Sequence, residues 1–76
     1  MINVLFFGMI RDITGSNRME MPEAGDTNEL ISNLNSMFPS LTGAKYIVAV
    51  DRDIIQNNTR LQQDAEVALL PPFSGG

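Results

Sequence analysis

Two short apolar runs stand at opposite ends of this chain, with one amphipathic stripe between them. Ile2-Asn3-Val4-Leu5-Phe6-Phe7 is rich in β-branched and aromatic residues and stops at Gly8; Glu66-Val67-Ala68-Leu69-Leu70 stops at Pro71-Pro72. Runs of this length and composition predict strands with both faces at least partly covered, which places them in the interior of a sheet. If both are central, the two ends of the chain meet in the middle of one sheet. Across an intervening helix they must then pair in parallel.

The helix is predicted over Thr27 to Phe38. Asp26 or Thr27 caps it, and Asp26 with Glu29 has the spacing of a capping box. Leu30, Ile31, Leu34, Met37 and Phe38 fall at i, i+1, i+4, i+7 and i+8, a single stripe at helical period. Pro39 ends the helix, because proline has no N–H to give and pushes Phe38 out of the α region. Met9 to Thr14 reads as a short helix closed by Gly15. Arg18-Met19-Glu20-Met21 reads as a strand hairpin-related to the first, with both methionines inward and Pro22 after it. Tyr46 to Val50 is a third strand, Asp51-Arg52-Asp53 a turn, Ile54-Ile55 a brief fourth strand, and Glu66 to Leu70 the last. The fold class is therefore α+β, a mixed five-stranded sheet packed on one main helix. Residues 1–70 form the domain and residues 71–76 a flexible tail.

Composition excludes several functions. A chain of 76 residues supports one core and little room for a deep pocket besides. The absence of Cys and His removes thiolate nucleophiles, Ser–His pairs and Cys- or His-ligated metal. A net charge of −4 argues against nucleic acid and anionic membrane as partners. The run Ile2 to Ile10 is too short and wrongly flanked for a membrane span or signal peptide, so the cytoplasm is the expected compartment. Asp51 and Asp53 lack a third metal ligand and read as a solvated turn, and Met9, Met19, Met21 and Met37 read as core filler. No metal site and no bound cofactor is expected.

Period-2 counting leaves one face exposed. If Ile2, Val4, Phe6, Val67 and Leu69 face the helix, then Leu5, Phe7, Ala68 and Leu70 face away, with Ile54 at the margin of the apolar patch. A single helix covers only one side. Either these residues form a partner site, with Arg11 at its polar rim, or loops or a one-residue register shift cover them. The segment Pro71-Pro72-Phe73-Ser74-Gly75-Gly76 follows directly from a central strand. Two prolines stiffen the exit, Phe73 supplies a hydrophobic handle, and Ser74-Gly75-Gly76 has no bulk. Six extended residues reach about 20 Å, enough to carry an α-carboxylate into a narrow channel. Attack of that carboxylate on the α-phosphate of ATP would give a mixed anhydride. A sulfur nucleophile could then convert it to a thiocarboxylate, so a chain without cysteine would carry sulfur on its main chain.

Val4-Leu5-Phe6-Phe7 with Arg11 after it, the Thr27-initiated helix, Val48-Ala49-Val50 and above all Glu66 to Gly76 resemble the small-subunit family of molybdopterin synthase, ubiquitin-like β-grasp sulfur carriers. The resemblance covers the whole chain, and Pro-Pro-x-Ser-Gly-Gly is its most specific part. It implies activation of Gly76, preceded by Gly75, by a ubiquitin-activating-type adenylyltransferase that uses ATP. It further implies sulfur from a donor protein, and transfer to cyclic pyranopterin monophosphate within a heterotetramer containing the large synthase subunit. The implied partner face is Phe7, Arg11, Ile54 and Leu70, with Phe73 on the tail. The sequence departs from the family pattern in two turns: Asp51 stands where Asn is common, and Gln63-Asp64-Ala65-Glu66 replaces a glycine-containing acidic turn. Two other readings stand beside this one. In the first, the chain acts in the same fold as a carrier for thiamine or tRNA thiolation, or as a ubiquitin-like modifier, although its single Lys45 permits little chain building. In the second, it is a β-grasp interaction domain with an inert diglycine.

Overall fold

The structure is a computed structural model that describes residues 1–72. Five strands and two helices follow in the order β1 (Ile2–Phe6), α1 (Met9–Thr14), β2 (Arg18–Met21), α2 (Thr27–Met37), a 3-10 turn (Pro39–Gly43), β3 (Ile47–Val50), β4 (Asp53–Ile55) and β5 (Glu66–Leu70). The sheet order is β2-β1-β5-β3-β4. The terminal strands are therefore both interior, and β1 runs parallel to β5 with Val4 beside Val67 and Phe6 beside Leu69. All other pairings are antiparallel. The sheet, the helix that covers it and the position of Gly15, in the left-handed region at φ 77°, agree with expectation. Strand β3 starts at Ile47, one residue after the expected Tyr46, and β4 gains Asp53.

Helix α2 begins where its cap dictates. The Glu29 N–H donates to Asp26 Oδ1 at 2.9 Å, and Asn58 reinforces the end by accepting from the Asn28 N–H at 2.8 Å and donating to Asp26 Oδ2 at 3.1 Å. The capping hydrogen bonds from the Glu29 backbone and the Asn58 side chain favour the charged carboxylate and lower the Asp26 pKa. Thr27 is buried but satisfied: its hydroxyl donates to Asn58 Oδ1 and its oxygen accepts from the Thr59 N–H. From this anchored end, α2 lays Leu30 and Leu34 over Ile2, Val4, Phe6, Val67 and Leu69, and Ile10 and Leu41 close the sides of the core.

Two methionines expected in the core are outside it. Met37 is half exposed, because the chain leaves helical geometry at Phe38. Phe38 turns in to meet the Phe6 ring edge-on at 6.4 Å, and Leu41 from the 3-10 turn fills the neighbouring space, so the volume Met37 would occupy is already taken. Met9 is 61% exposed, because the first turn of α1 directs Ile10 inward in its place. Met21 is buried and Met19 packs against the core.

Three non-glycine residues adopt positive φ: Asp51 (48°), Arg52 (73°) and Asp64 (58°). Asp51 and Arg52 are the two central residues of the tight β3–β4 hairpin, a geometry that needs left-handed conformation at both positions. Asp51 recovers part of that cost, because its Oδ1 accepts from the Glu66 N–H at 3.0 Å and its own N–H donates to the Glu66 carbonyl at 2.8 Å. The turn without glycine before β5 is accommodated by Asp64 in the left-handed region, one of the residue types that tolerates it. The Asp64 carboxylate holds the Met1 ammonium at 2.8 Å, and Glu23 pairs with the same ammonium.

These contacts give stability a two-sided pH dependence. Hydrogen bonds to Asp64 and Glu23 raise the Met1 ammonium pKa from 8.0 to about 10, so its contribution is complete below pH 8 and is lost as pH rises towards 10. Asp26 and Asp64 have lowered pKa values, so their contributions are present above the ordinary value of 3.8 and are lost as pH falls through the folded-state values. Thermal melts across pH should show both limbs. Acetylating the Met1 amine should flatten the alkaline limb. Asp26→Asn, which keeps a capping oxygen, should weaken the acid limb with a smaller loss of melting temperature than Asp26→Ala.

Candidate functional site

One face of the sheet carries no helix, and the strand register orders its side chains into rows. The middle row runs Arg18–Leu5–Ala68–Ala49–Ile54 across all five strands. Neighbouring strands lie about 4.8 Å apart, so Leu5 and Ile54 stand about 14 Å apart across three strand spacings. Between them Ala68 and Ala49 pair directly, and both are almost fully buried although no layer lies above them. Larger side chains around two alanines give the face a shallow floor. Period-2 counting places Ala68 on this face but does not reach Ala49, its partner across the strands. Their signal is the pair of small residues at outward positions in otherwise bulky strands.

The row nearer the chain exit is apolar. Leu70 pairs with Ile47, and the Phe7 N–H donates to the Leu69 carbonyl at 3.1 Å, which sets Phe7 beside Leu70. Phe7 is 43% and Ile54 57% exposed, while Leu5, Ile47 and Leu70 are half-buried. The row at the opposite end is polar: Glu20–Asn3–Glu66, with Arg52 Nε 3.9 Å from Glu66 Oε2. The face is thus polarised, with carboxylates at one end and aliphatic and aromatic side chains at the end where β5 gives way to Pro71.

The residues singled out in the sequence are distributed unevenly. Phe7 and Leu70 are adjacent. Ile54 shares their face but lies two strands from Leu70, in the middle row. Arg11 sits on α1 off the ladder, and its Nη1 donates to Asn17 Oδ1 at 3.0 Å, which ties the guanidinium to the loop before β2. Phe73, Gly75 and Gly76 lie outside the described residues.

The exit is shaped by one glycine. Gly8 has φ +58° and ψ −136°, a conformation that side chains avoid. A Cβ on Gly8 would stand 2.4 Å from the Pro71 Cγ. Backbone therefore packs directly on the Pro71 ring, and the direction of the chain leaving β5 is set against the turn that leaves β1. Among the described residues no group of three or more His, Cys, Asp or Glu could hold a metal, and no helix is long and apolar enough to cross a membrane. The arrangement offers an apolar surface beside a rigidly aimed strand end.

Comparisons with known proteins agree with this architecture. The chain is 30% identical over 79 residues to the molybdopterin synthase sulfur carrier subunit of Arabidopsis thaliana, covering 99% of this chain and 82% of that protein. Small archaeal modifier protein 1 of Methanosarcina acetivorans superposes with a TM-score of 0.84 at 19% identity, over 99% of this chain and 95% of that one, and so shares the ubiquitin-like β-grasp fold. A structure described as the protein–protein complex of subunits 1 and 2 of molybdopterin-converting factor from Helicobacter pylori matches with a TM-score of 0.73 at 29% identity, over 99% and 97% of the two chains. The model of the ThiS family matches residues 4–76, and the chain belongs to that family.

Proposed function

We propose that this chain is the sulfur-carrier small subunit of molybdopterin synthase. The observation that carries the reading is the polarised sheet face: an uncovered apolar surface built by Phe7, Leu70 and Ile47 stands beside a strand end that Gly8 aims through Pro71. Family membership and the relatives' names support the same reading. The face docks on the large synthase subunit, and the tail ending in Gly75-Gly76 enters that partner's active site. Arg11 and Ile54 border the contact, and Phe73 anchors the tail within it.

The chemistry belongs to the main chain. An adenylyltransferase of the ubiquitin-activating type joins the Gly76 carboxylate to the α-phosphate of ATP and releases pyrophosphate. Hydrosulfide released by a donor protein attacks the acyl carbon of Gly76, AMP leaves with the bridging oxygen, and a thiocarboxylate remains. The thiocarboxylate sulfur then bonds to a carbon of cyclic pyranopterin monophosphate, water cleaves the acyl–sulfur bond of the resulting thioester and returns the Gly76 carboxylate, and two such deliveries build the dithiolene. The chain itself binds no cofactor in this scheme.

Three outcomes are expected. Incubation with the activating enzyme, ATP and a sulfur source should raise the intact mass by the difference between sulfur and oxygen, and removing Gly76 or appending a residue should abolish the gain without unfolding the domain. Adducts on other proteins in place of that gain would assign the chain to the modifiers instead. Leu70→Asp or Phe7→Asp should weaken binding to the large subunit by about 2 kcal/mol or more, as for buried anchors, measured by calorimetry. Gly8→Ala, which forces a Cβ against Pro71, should lower both stability and sulfur delivery, while Gly15→Ala, with open space around it, should lower stability alone.

A further inference from the structure

A second apolar surface lies on the other side of the chain exit. A groove of about 780 Å³ is lined by Met9, Ile13, Pro39, Ala44, Lys45 and Pro72, among others. Met9, 61% exposed, and Phe7, 43% exposed, flank Gly8, so the two surfaces approach each other at Gly8, which packs on Pro71. Lys45 is exposed at the groove and is the single lysine of the chain. Among the described residues no carboxylate lies within ion-pair distance of it, whereas Arg52 has Glu66.

We infer that this groove is a second contact for the partner that receives the tail: the large subunit closes around Pro71-Pro72 from both sides, with an apolar side chain against Met9 and Ile13 and a carboxylate facing Lys45. The inference rests on the function proposed above. Its physical basis is reach. Only four residues separate Pro72 from the Gly76 carboxylate, which is about 13 Å when fully extended. A site that encloses the end of so short a leash must bring its rim down to the root, and a rim that encloses a chain meets it all round. The open sheet face supplies one side of that collar. The groove is the apolar surface that borders Pro72 on the other, and its lone cation in a chain of net charge −4 selects an acidic group on the rim.

The test is titration of the isolated large subunit with the full chain carrying Met9→Asp, Lys45→Glu or Leu70→Asp, with thermal melts of each variant alone. Met9 and Lys45 are exposed, so both variants should melt as the wild type does. Met9→Asp is expected to weaken binding about tenfold or more, and Lys45→Glu about fivefold with a flatter dependence on salt. Wild-type affinity for both, with Leu70→Asp still impaired, would overturn the collar and leave the sulfur-carrier reading intact. Unchanged affinity for all three would remove the docking face itself. A Met9→Asp effect confined to adenylation by the activating enzyme, or to self-association in sedimentation, would assign the groove to that occupant and equally overturn the inference.

Discussion

Parallel pairing of β1 with β5 is the constraint from which the rest of the molecule follows. Strands that run side by side in the same direction finish at the same end of the sheet. The C-terminal ends of β1 and β5 therefore lie together, Phe7 beside Leu70 and Gly8 against Pro71. Parallel neighbours cannot be joined by a tight turn, so the chain between them must cross over, and α2 occupies that crossover. The helix then covers the face carrying Val4, Phe6, Val67 and Leu69, and the opposite face is left without a layer. One hydrogen-bonding choice thus sets both the core and the surface at which the chain leaves the domain.

The uncovered face is economical at this size. A chain of 76 residues has too little sequence for a second helical layer, and the interior of a small domain is already marginal. Leaving apolar side chains exposed carries a risk of nonspecific association, and the register limits that risk. Glu20, Asn3 and Glu66 occupy the far row, and Ala68 and Ala49 keep the centre of the face shallow. Bulky apolar groups concentrate at the root of the tail, where the partner proposed above would bury them.

Period and punctuation made most of the architecture readable. The alternation that divides Leu5 and Phe7 from Val4 and Phe6 survives into the structure, because strand geometry admits no other assignment once a helix covers one side. Asp26 and Pro39 bracket α2 for stereochemical reasons that do not depend on tertiary context. The misreadings have the opposite character. Whether Met37 or Phe38 fills the space under the last turn depends on how Phe38 turns in once Pro39 has stopped the helix, and on the 3-10 turn that packs Leu41 beside it. Met9 is outside because Ile10 took the inward position of a helix only six residues long. Period alone cannot phase so short an element. The tether of Arg11 to Asn17 and the contact of Gly8 with Pro71 join residues far apart in sequence or in different elements, and pattern reading has no access to them.

The positions of unusual backbone conformation separate shape from chemistry. Asp51, Arg52 and Asp64 all accept positive φ without glycine, and each returns something with its side chain: a hydrogen bond to the Glu66 N–H, an ion pair with Glu66, a grip on the Met1 ammonium. All three lie at the end of the sheet remote from the tail. Gly8 is in a comparable conformational position, yet no side chain can be used there, because the Pro71 ring already fills the space a Cβ would need. Where the backbone serves only to reverse direction, a polar side chain can offset the strain. Where it forms the bearing surface for the outgoing strand, the absence of a side chain is what leaves room for the Pro71 ring. The same logic continues along the tail, where Gly75 and Gly76 offer a main chain with nothing attached to it.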